Sequence, residues 1–283
     1  MAREIAAEIA AKEERAGHRT AARRLKGALS QNGSHAFDRD PQYHRNGTAT
    51  FLSAALARQT PTVKLEDVSL PAATRSELKQ IVREYRLASK LQRAGIGRRS
   101  KILFWGPPGC GKSMAAHALA RELKLQLCVV RFDALIGGFL GQTASNLRQL
   151  FQFAEANPCV MLFDEIDALG KQRGNPADVG ELDRIVIALM QELELSVVRG
   201  LVVATSNLPD CLDRALWRRF DLQVHFPAPE KHERVRFAAM RAKSLRLAGS
   251  KPIQHRAARV PSYAEIAKLV EDEARRRALR SGR

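Results

Sequence analysis

The chain has 283 residues, 45% of them hydrophobic, and carries 47 Lys/Arg against 30 Asp/Glu for a net charge of +17. That length fits one large domain or two modest ones with a real core, and no apolar run approaches the about 20 residues that a membrane-spanning helix needs. Met1-Ala2-Arg3-Glu4-Ile5 lacks the basic-then-apolar layout of a secretory signal, and Cys110, Cys128, Cys159 and Cys211 show neither disulfide nor metal spacing, so a reducing cytoplasm is the expected compartment.

In chain order, residues 1–29 alternate small apolar with charged residues at helical spacing, and Gly17-His18 interrupts them. The pattern predicts helices over about 2–15 and 19–29. Gln31 to Gly47, rich in Asn, Gly, Asp and His, reads as a linker, and residues 1–47 are expected to form either a docking module or a partly helical tail. An extended segment is expected over Val63–Pro71, then one helix over about Ala73–Ala94 that Gly95 and Gly97 stop.

Lys101-Ile102-Leu103-Phe104-Trp105 is a strand signal, and Met114 to Leu123 reads as a helix. Between them, Gly106-Pro107-Pro108-Gly109-Cys110-Gly111-Lys112-Ser113 fits G-x-x-x-x-G-K-[ST]. Glycines there let backbone N–H groups turn toward a triphosphate, and the helix start adds its partial positive charge. Lys112 would reach the phosphates, and the Ser113 hydroxyl would ligate Mg²⁺. Dipoles at the loop favour a Cys110 thiolate, although a buried, inert thiol is the equal alternative.

Gln126 to Arg131 is a strand signal, followed by Gly137-Gly138-Phe139-Leu140-Gly141, whose aromatic between glycines should stand on a loop. A helix over Ala144–Ala156 is expected to be capped by Thr143 or Ser145 and closed by Asn157-Pro158. Cys159-Val160-Met161-Leu162-Phe163 is continuously apolar, as in a buried parallel strand, and ends in Asp164-Glu165-Ile166-Asp167. Carboxylates at that end of a strand lie where open α/β sheets bind ligands. Asp164 would hold Mg²⁺ through its water shell, and Glu165 would polarise the attacking water.

Lys171 to Gly180 reads as a polar loop, Glu181–Glu194 as a helix and Leu201–Ser206 as a buried strand ending at Asn207. An amide at Asn207 would reach the γ-phosphate or the water. Leu212–Asp221 is expected to be a helix that closes in Arg218-Arg219, and Leu222–Phe226 the last strand. Two further helices are expected, about Glu230–Leu247 and Ser262–Arg280, with Lys251-Pro252 a break after the first. Residues 230–283 hold 15 Lys/Arg against 6 Asp/Glu, so the charge excess is concentrated there. Such a segment suits nucleic acid or an acidic partner, and equally a solvated helix face.

Taken in order, Gly106–Ser113, Phe139-Leu140-Gly141, Asp164-Glu165-Ile166-Asp167, Asn207 and Arg218-Arg219-Phe220 resemble the motifs of AAA+ ATPases of the AAA clade, over about residues 62–281. The resemblance implies an α/β fold: a three-layer αβα core with a parallel sheet over 62–229, a small, shortened helical lid over 230–283 and an N-terminal helical extension over 1–47. It implies that Gly106, Pro107, Pro108, Gly109, Cys110, Gly111, Lys112 and Ser113 form the Walker A loop and with Met114 bind ATP, while Asp67-Val68 flanks the adenine. Ser113 and Asp164 would hold Mg²⁺, and Lys112, Glu165 and the sensor-1 Asn207 would serve catalysis. Arg218 and Arg219 look like paired arginine fingers reaching into a neighbouring subunit, with the short spacing of spastin- and katanin-like members. Ser262-Tyr263-Ala264-Glu265-Ile266 resembles the start of the lid helix, with Ala264 in place of a sensor-2 arginine; by the same resemblance the lid is expected to be without the family's last helix.

The implied activity is hydrolysis of ATP to ADP and phosphate in a cytoplasmic homo-oligomer, a hexamer with nucleotide in its subunit interfaces. Phe139 and Leu140 would grip a polypeptide substrate in the central pore. The N-terminal helices resemble those of bacterial AAA proteins paired with a subtilisin-like protease, which makes such a protease a candidate partner. Two alternatives stand beside this reading: a nucleic-acid-associated ATPase, such as a loader or transposition helper, and a nucleotide switch that controls partner assembly. No helix-turn-helix, zinc finger or aromatic stacking platform speaks for nucleic acid.

Overall fold

Six strands form one sheet: β1 (Leu56–Gln59), β2 (Lys101–Trp105), β3 (Gln126–Val130), β4 (Cys159–Phe163), β5 (Leu201–Ser206) and β6 (Leu222–His225). The computed structural model describes residues 50–136, 142–168, 176–208, 212–247 and 251–281. The chain divides into two units, Met1–Gly47 and Thr48–Arg283, and every described residue belongs to the second. The N-terminal helices and linker expected before residue 48, the Phe139-Leu140 loop and Cys211 lie outside the described residues.

The strand order is β1-β3-β4-β5-β2-β6. β1 pairs antiparallel with β3, and all other pairings are parallel. Alternate side chains of each strand feed opposite faces. Ile102, Phe104, Val160, Leu162 and Val203 pack on one side with α1 (Ala72–Arg86) and α3 (Lys112–Leu123). Leu103, Met161, Phe163, Val202 and Ala204 pack on the other with α5 (Thr143–Ala156) and α6 (Pro176–Leu195). The result is the expected αβα core, and β4 is buried at every position because both its faces are covered.

Several boundaries differ from the sequence reading. The sequence pattern does not predict β1, since Leu-Ala-Arg-Gln shows neither alternation nor β-branching; its main-chain pairing with β3 makes it a strand. The extended segment expected at Val63–Pro71 instead turns, with the Asp67 N–H donating to the Lys64 carbonyl at 3.0 Å. The long helix expected to Ala94 divides at Leu87 into α1 and α2 (Ala88–Arg93), where the Leu87 carbonyl accepts from both Lys90 and Leu91. A short helix, α4 (Phe132–Ile136), comes after β3. α5 has Gln142 at its N-cap and no side-chain cap, so neither Thr143 nor Ser145 plays that part. α6 begins at Pro176, within the expected polar loop; proline is favourable in a first helical turn, where no N–H bond is lost.

The helix expected over Leu212–Asp221 shrinks to α7 (Arg214–Trp217). The Asp221 carboxylate accepts from the Ser100 and Lys101 N–H groups at 2.8 and 2.9 Å, which pulls the chain out of the helix and into β6. Among its described residues the lid holds three helices rather than two: α8 (Lys231–Ser244), α9 (Lys251–Ala257) and α10 (Tyr263–Ser281). Pro252 lies in the first turn of α9, where it breaks nothing. Ala238, Ala242, Ile253, Ala257, Ile266 and Val270 form the lid's own small core.

Candidate active site

β2 delivers the chain into the loop Gly106–Gly111, and α3 starts at Lys112. A Cβ on Gly106 would lie 2.1 Å from the Phe226 carbonyl oxygen, so no side chain fits where the loop crosses the end of β6. At Gly109, φ is +73° and a Cβ would meet the Ser262 hydroxyl at 2.7 Å. The main chain closes the same contact, the Ala264 N–H donating to the Gly109 carbonyl at 3.2 Å. The loop is thus held between the sheet and the start of α10. No side chain caps α3, which leaves its first amides for an anion.

Lys112 is only 6% exposed, and its Nζ donates to the Gly106 and Pro107 carbonyls at 2.6 and 2.8 Å. Burial pushes the ammonium below the usual lysine range, against the pull of Cys110 and the carboxylates of Asp167, Asp164 and Glu165. Cys110 lies in the same loop but is 2% exposed. Burial pushes its thiol up, and the nearby Lys112 charge only partly offsets this. The thiolate expected from the loop dipoles is therefore disfavoured, because desolvation outweighs them.

The register of the sheet assembles the acidic side. Phe163 pairs with Ala204, so Asp164 emerges beside Thr205. The Ser113 hydroxyl donates to Asp164 Oδ1 at 2.8 Å, and the Thr205 hydroxyl donates to the same oxygen at 2.6 Å. Thr205 Oγ1 also accepts from the Glu165 N–H at 2.8 Å. Glu165 holds a left-handed φ of +57°, a conformation that costs an L-residue roughly 1 kcal/mol and here aims its side chain at Asn207. Asn207 Nδ2 donates to Glu165 Oε1 at 3.1 Å, and the Asn207 N–H donates to Oδ1 of the buried Asp167 at 3.0 Å.

Lys112, Ser113, Asp164, Glu165, Thr205 and Asn207 line a cavity of about 720 Å³. Asp67 and Val68 form one wall, Met114 projects half-exposed from α3, and the lid supplies Phe237, Met240 and Tyr263 opposite. Phe237 and Tyr263 meet edge to face at 5.0 Å, and burial with the nearby Glu233 pushes the Tyr263 hydroxyl up to about 12. Gly106, Pro107 and Cys110 shape the loop without lining the cavity. Sequence reasoning missed Thr205 and the lid wall. Thr205 and Ser206 close an otherwise apolar strand with two hydroxyls, and nothing local singles out Thr205; Phe237 and Met240 had no signal, since apolar residues on a lid helix read as core.

Arg218 and Arg219 stand apart from this cavity. Arg219 pairs with Glu194 at the end of α6, 3.1 Å away. Arg218, just beyond α7, is exposed and has no side-chain partner among the described residues.

The family described as "ATPase family associated with various cellular activities (AAA)" matches residues 102–228. An uncharacterized AAA family ATPase of Sinorhizobium fredii, y4kL, is 35% identical over 276 residues, which cover 94% of this chain and 81% of that protein. The chain belongs to the AAA ATPase family. The peroxisomal ATPase PEX6 of Pichia angusta is 37% identical over 187 residues, 63% of this chain, and that of Yarrowia lipolytica is 42% identical over 148 residues, 50% of this chain. The chain spans only 16% and 14% of those two proteins. The AAA match ends at residue 228, before the lid that completes the cavity. Among the described residues no helix is long and apolar enough to cross a membrane.

Proposed function

We propose that this AAA family chain hydrolyses ATP at the cavity between Lys112, Asp164, Glu165 and Asn207. The observation that carries the reading is the convergence of an uncapped helix start, a buried ammonium and two carboxylates on one cavity. The loop amides and Lys112 bind the phosphates. Ser113 and Asp164, already joined at 2.8 Å, offer the hard oxygen ligands that Mg²⁺ takes. When bound there, Mg²⁺ would neutralise charge on the phosphate oxygens. Glu165 accepts a proton from the attacking water as that water adds to the γ-phosphorus and the bond from the γ-phosphorus to the bridging oxygen breaks, releasing ADP, and Asn207 orients the Glu165 carboxylate through the hydrogen bond they share.

The motif order supports a homo-oligomer, a hexamer, in which Arg218 and Arg219 serve the neighbour's nucleotide, and the scattered cysteines suit a reducing cytoplasm. Phe139 and Leu140 would grip a polypeptide substrate in the pore, so that ATP turnover remodels it, with a subtilisin-like protease as a candidate recipient. The test is Glu165→Gln, which keeps size and polarity but accepts no proton. ATP affinity should persist in calorimetry while turnover falls about 10²-fold or more. Turnover near that of the unmodified chain would remove Glu165 from the chemistry.

A further inference from the structure

We propose that Arg75 is a positioning residue that sets nucleobase selectivity by holding the base-facing turn at a fixed distance from the phosphate loop. The proposal rests on the reading of the cavity as an ATP site. The turn at residues 64–68 belongs to no helix or strand. Its local main-chain bonds are the Asp67 N–H to the Lys64 carbonyl at 3.0 Å and a longer return contact from the Lys64 N–H to Asp67 Oδ2 at 3.4 Å, beside an exposed Lys64–Glu66 ion pair at 3.0 Å. Arg75 supplies the rest. Its Nη1 donates to the Leu65 carbonyl at 2.7 Å and its Nη2 to the Val68 carbonyl at 2.6 Å. One planar guanidinium therefore spans both ends of the segment, which a flexible ammonium would not do.

The adjacent residue completes the bracket. Thr74 is 4% exposed, and its hydroxyl donates to the His225 carbonyl at 2.9 Å. His225 precedes Phe226, whose carbonyl seats Gly106. The first turn of α1 thus ties the base-facing turn to the strand end under the phosphate loop. With its carbonyl taken by Arg75, Val68 also has an N–H without an acceptor among the described residues. Val68 lines the cavity, so this N–H would serve a base there as a main-chain donor. Adenine carries an acceptor at N1, where guanine carries a donor. A turn held in place favours ATP over GTP; a loose one adapts to both.

The experiment compares the full-length chain with Arg75→Met, Arg75→Lys and Arg83→Met, using ATP, GTP and inorganic tripolyphosphate, with melting curves as a check on folding. Arg75→Met should raise KM for ATP about tenfold, the loss expected for charge-assisted hydrogen bonds, and narrow the ATP-to-GTP ratio of kcat/KM. It should leave kcat within about twofold and tripolyphosphate affinity unchanged. Arg75→Lys should not restore selectivity, and Arg83→Met, on the same helix, should behave as the unmodified chain. An unchanged ATP-to-GTP ratio in both Arg75 variants, or equal losses for ATP and tripolyphosphate, overturns the proposal alone. An unmodified chain that binds neither nucleotide overturns the ATPase reading and this proposal together.

Discussion

Cys110 shows how burial decides chemistry at the scale of one residue. Its loop should stabilise a thiolate, yet the side chain is 2% exposed and its thiol is pushed up. Alkylation at neutral pH should therefore be slow, and should quicken as pH rises toward the raised thiol range. Peptide mapping after iodoacetamide, native against unfolded chain, checks this; rapid native labelling of Cys110 at pH 7 would contradict it. The residues that form the candidate site stand out in the sequence because nucleotide chemistry demands types and spacing: three glycines, a lysine and a hydroxyl before a helix, then two carboxylates after an apolar strand. The bonds of Thr205 to Asp164 and Glu165 were not legible, because they depend on the register between β4 and β5, which local sequence does not encode. Nor was Arg75, whose partners are main-chain carbonyls and could have been any.

At the scale of elements, ends decide function more than interiors. The β2, β4 and β5 interiors were plain from their apolar runs. The length of α7 was not, since the Asp221 carboxylate that draws the chain into β6 acts across 120 residues. This shortening separates two arginines that look equivalent in sequence. Arg219 is restrained by Glu194, whereas Arg218 is exposed and its side chain has no partner among the described residues. If they serve a neighbour's ATP, Arg218→Ala should cost turnover by about 10²-fold or more, and Arg219→Ala less, with ATP binding retained in both. Mixing Arg218→Ala with Lys112→Ala should restore some activity, because an intact pocket then meets an intact arginine. No recovery in demonstrably mixed oligomers would exclude action in trans. A second element end, the α1–β2 connection, is fixed by Glu84, which accepts from Arg99 Nε at 3.0 Å. The Arg99 hydrogen bonds hold this carboxyl below its ordinary value of 4.5, so its contribution to stability is full above that value and is lost as pH falls through the lowered one. Glu84→Gln should cost roughly 2 kcal/mol near neutrality and little once the carboxyl is protonated, as melting curves across pH would report.

At the scale of the whole molecule, the cavity belongs to two regions at once, core and lid, so that ATP turnover at the first, as proposed, would move the second. The contact of Ser262 and Ala264 with Gly109 is the link by which a phosphate-bearing loop would carry such a movement. Whether movement does work on a polypeptide turns on Phe139, which lies outside the described residues and is placed by its motif between glycines. A motor needs a grip, a large apolar ring that wedges between substrate side chains during each stroke. Phe139→Ala removes most of that contact, on the order of 150 Å² per subunit. It leaves Lys112, Asp164 and Glu165 intact, so basal ATP turnover should stay within about threefold, a negligible change in activation free energy. Stimulation by a polypeptide substrate, and remodelling of it, should be lost. A nucleotide switch predicts no such division, because nothing passes through its pore. Full partner activity from Phe139→Ala in a reconstituted assay would therefore replace the threading reading with the switch.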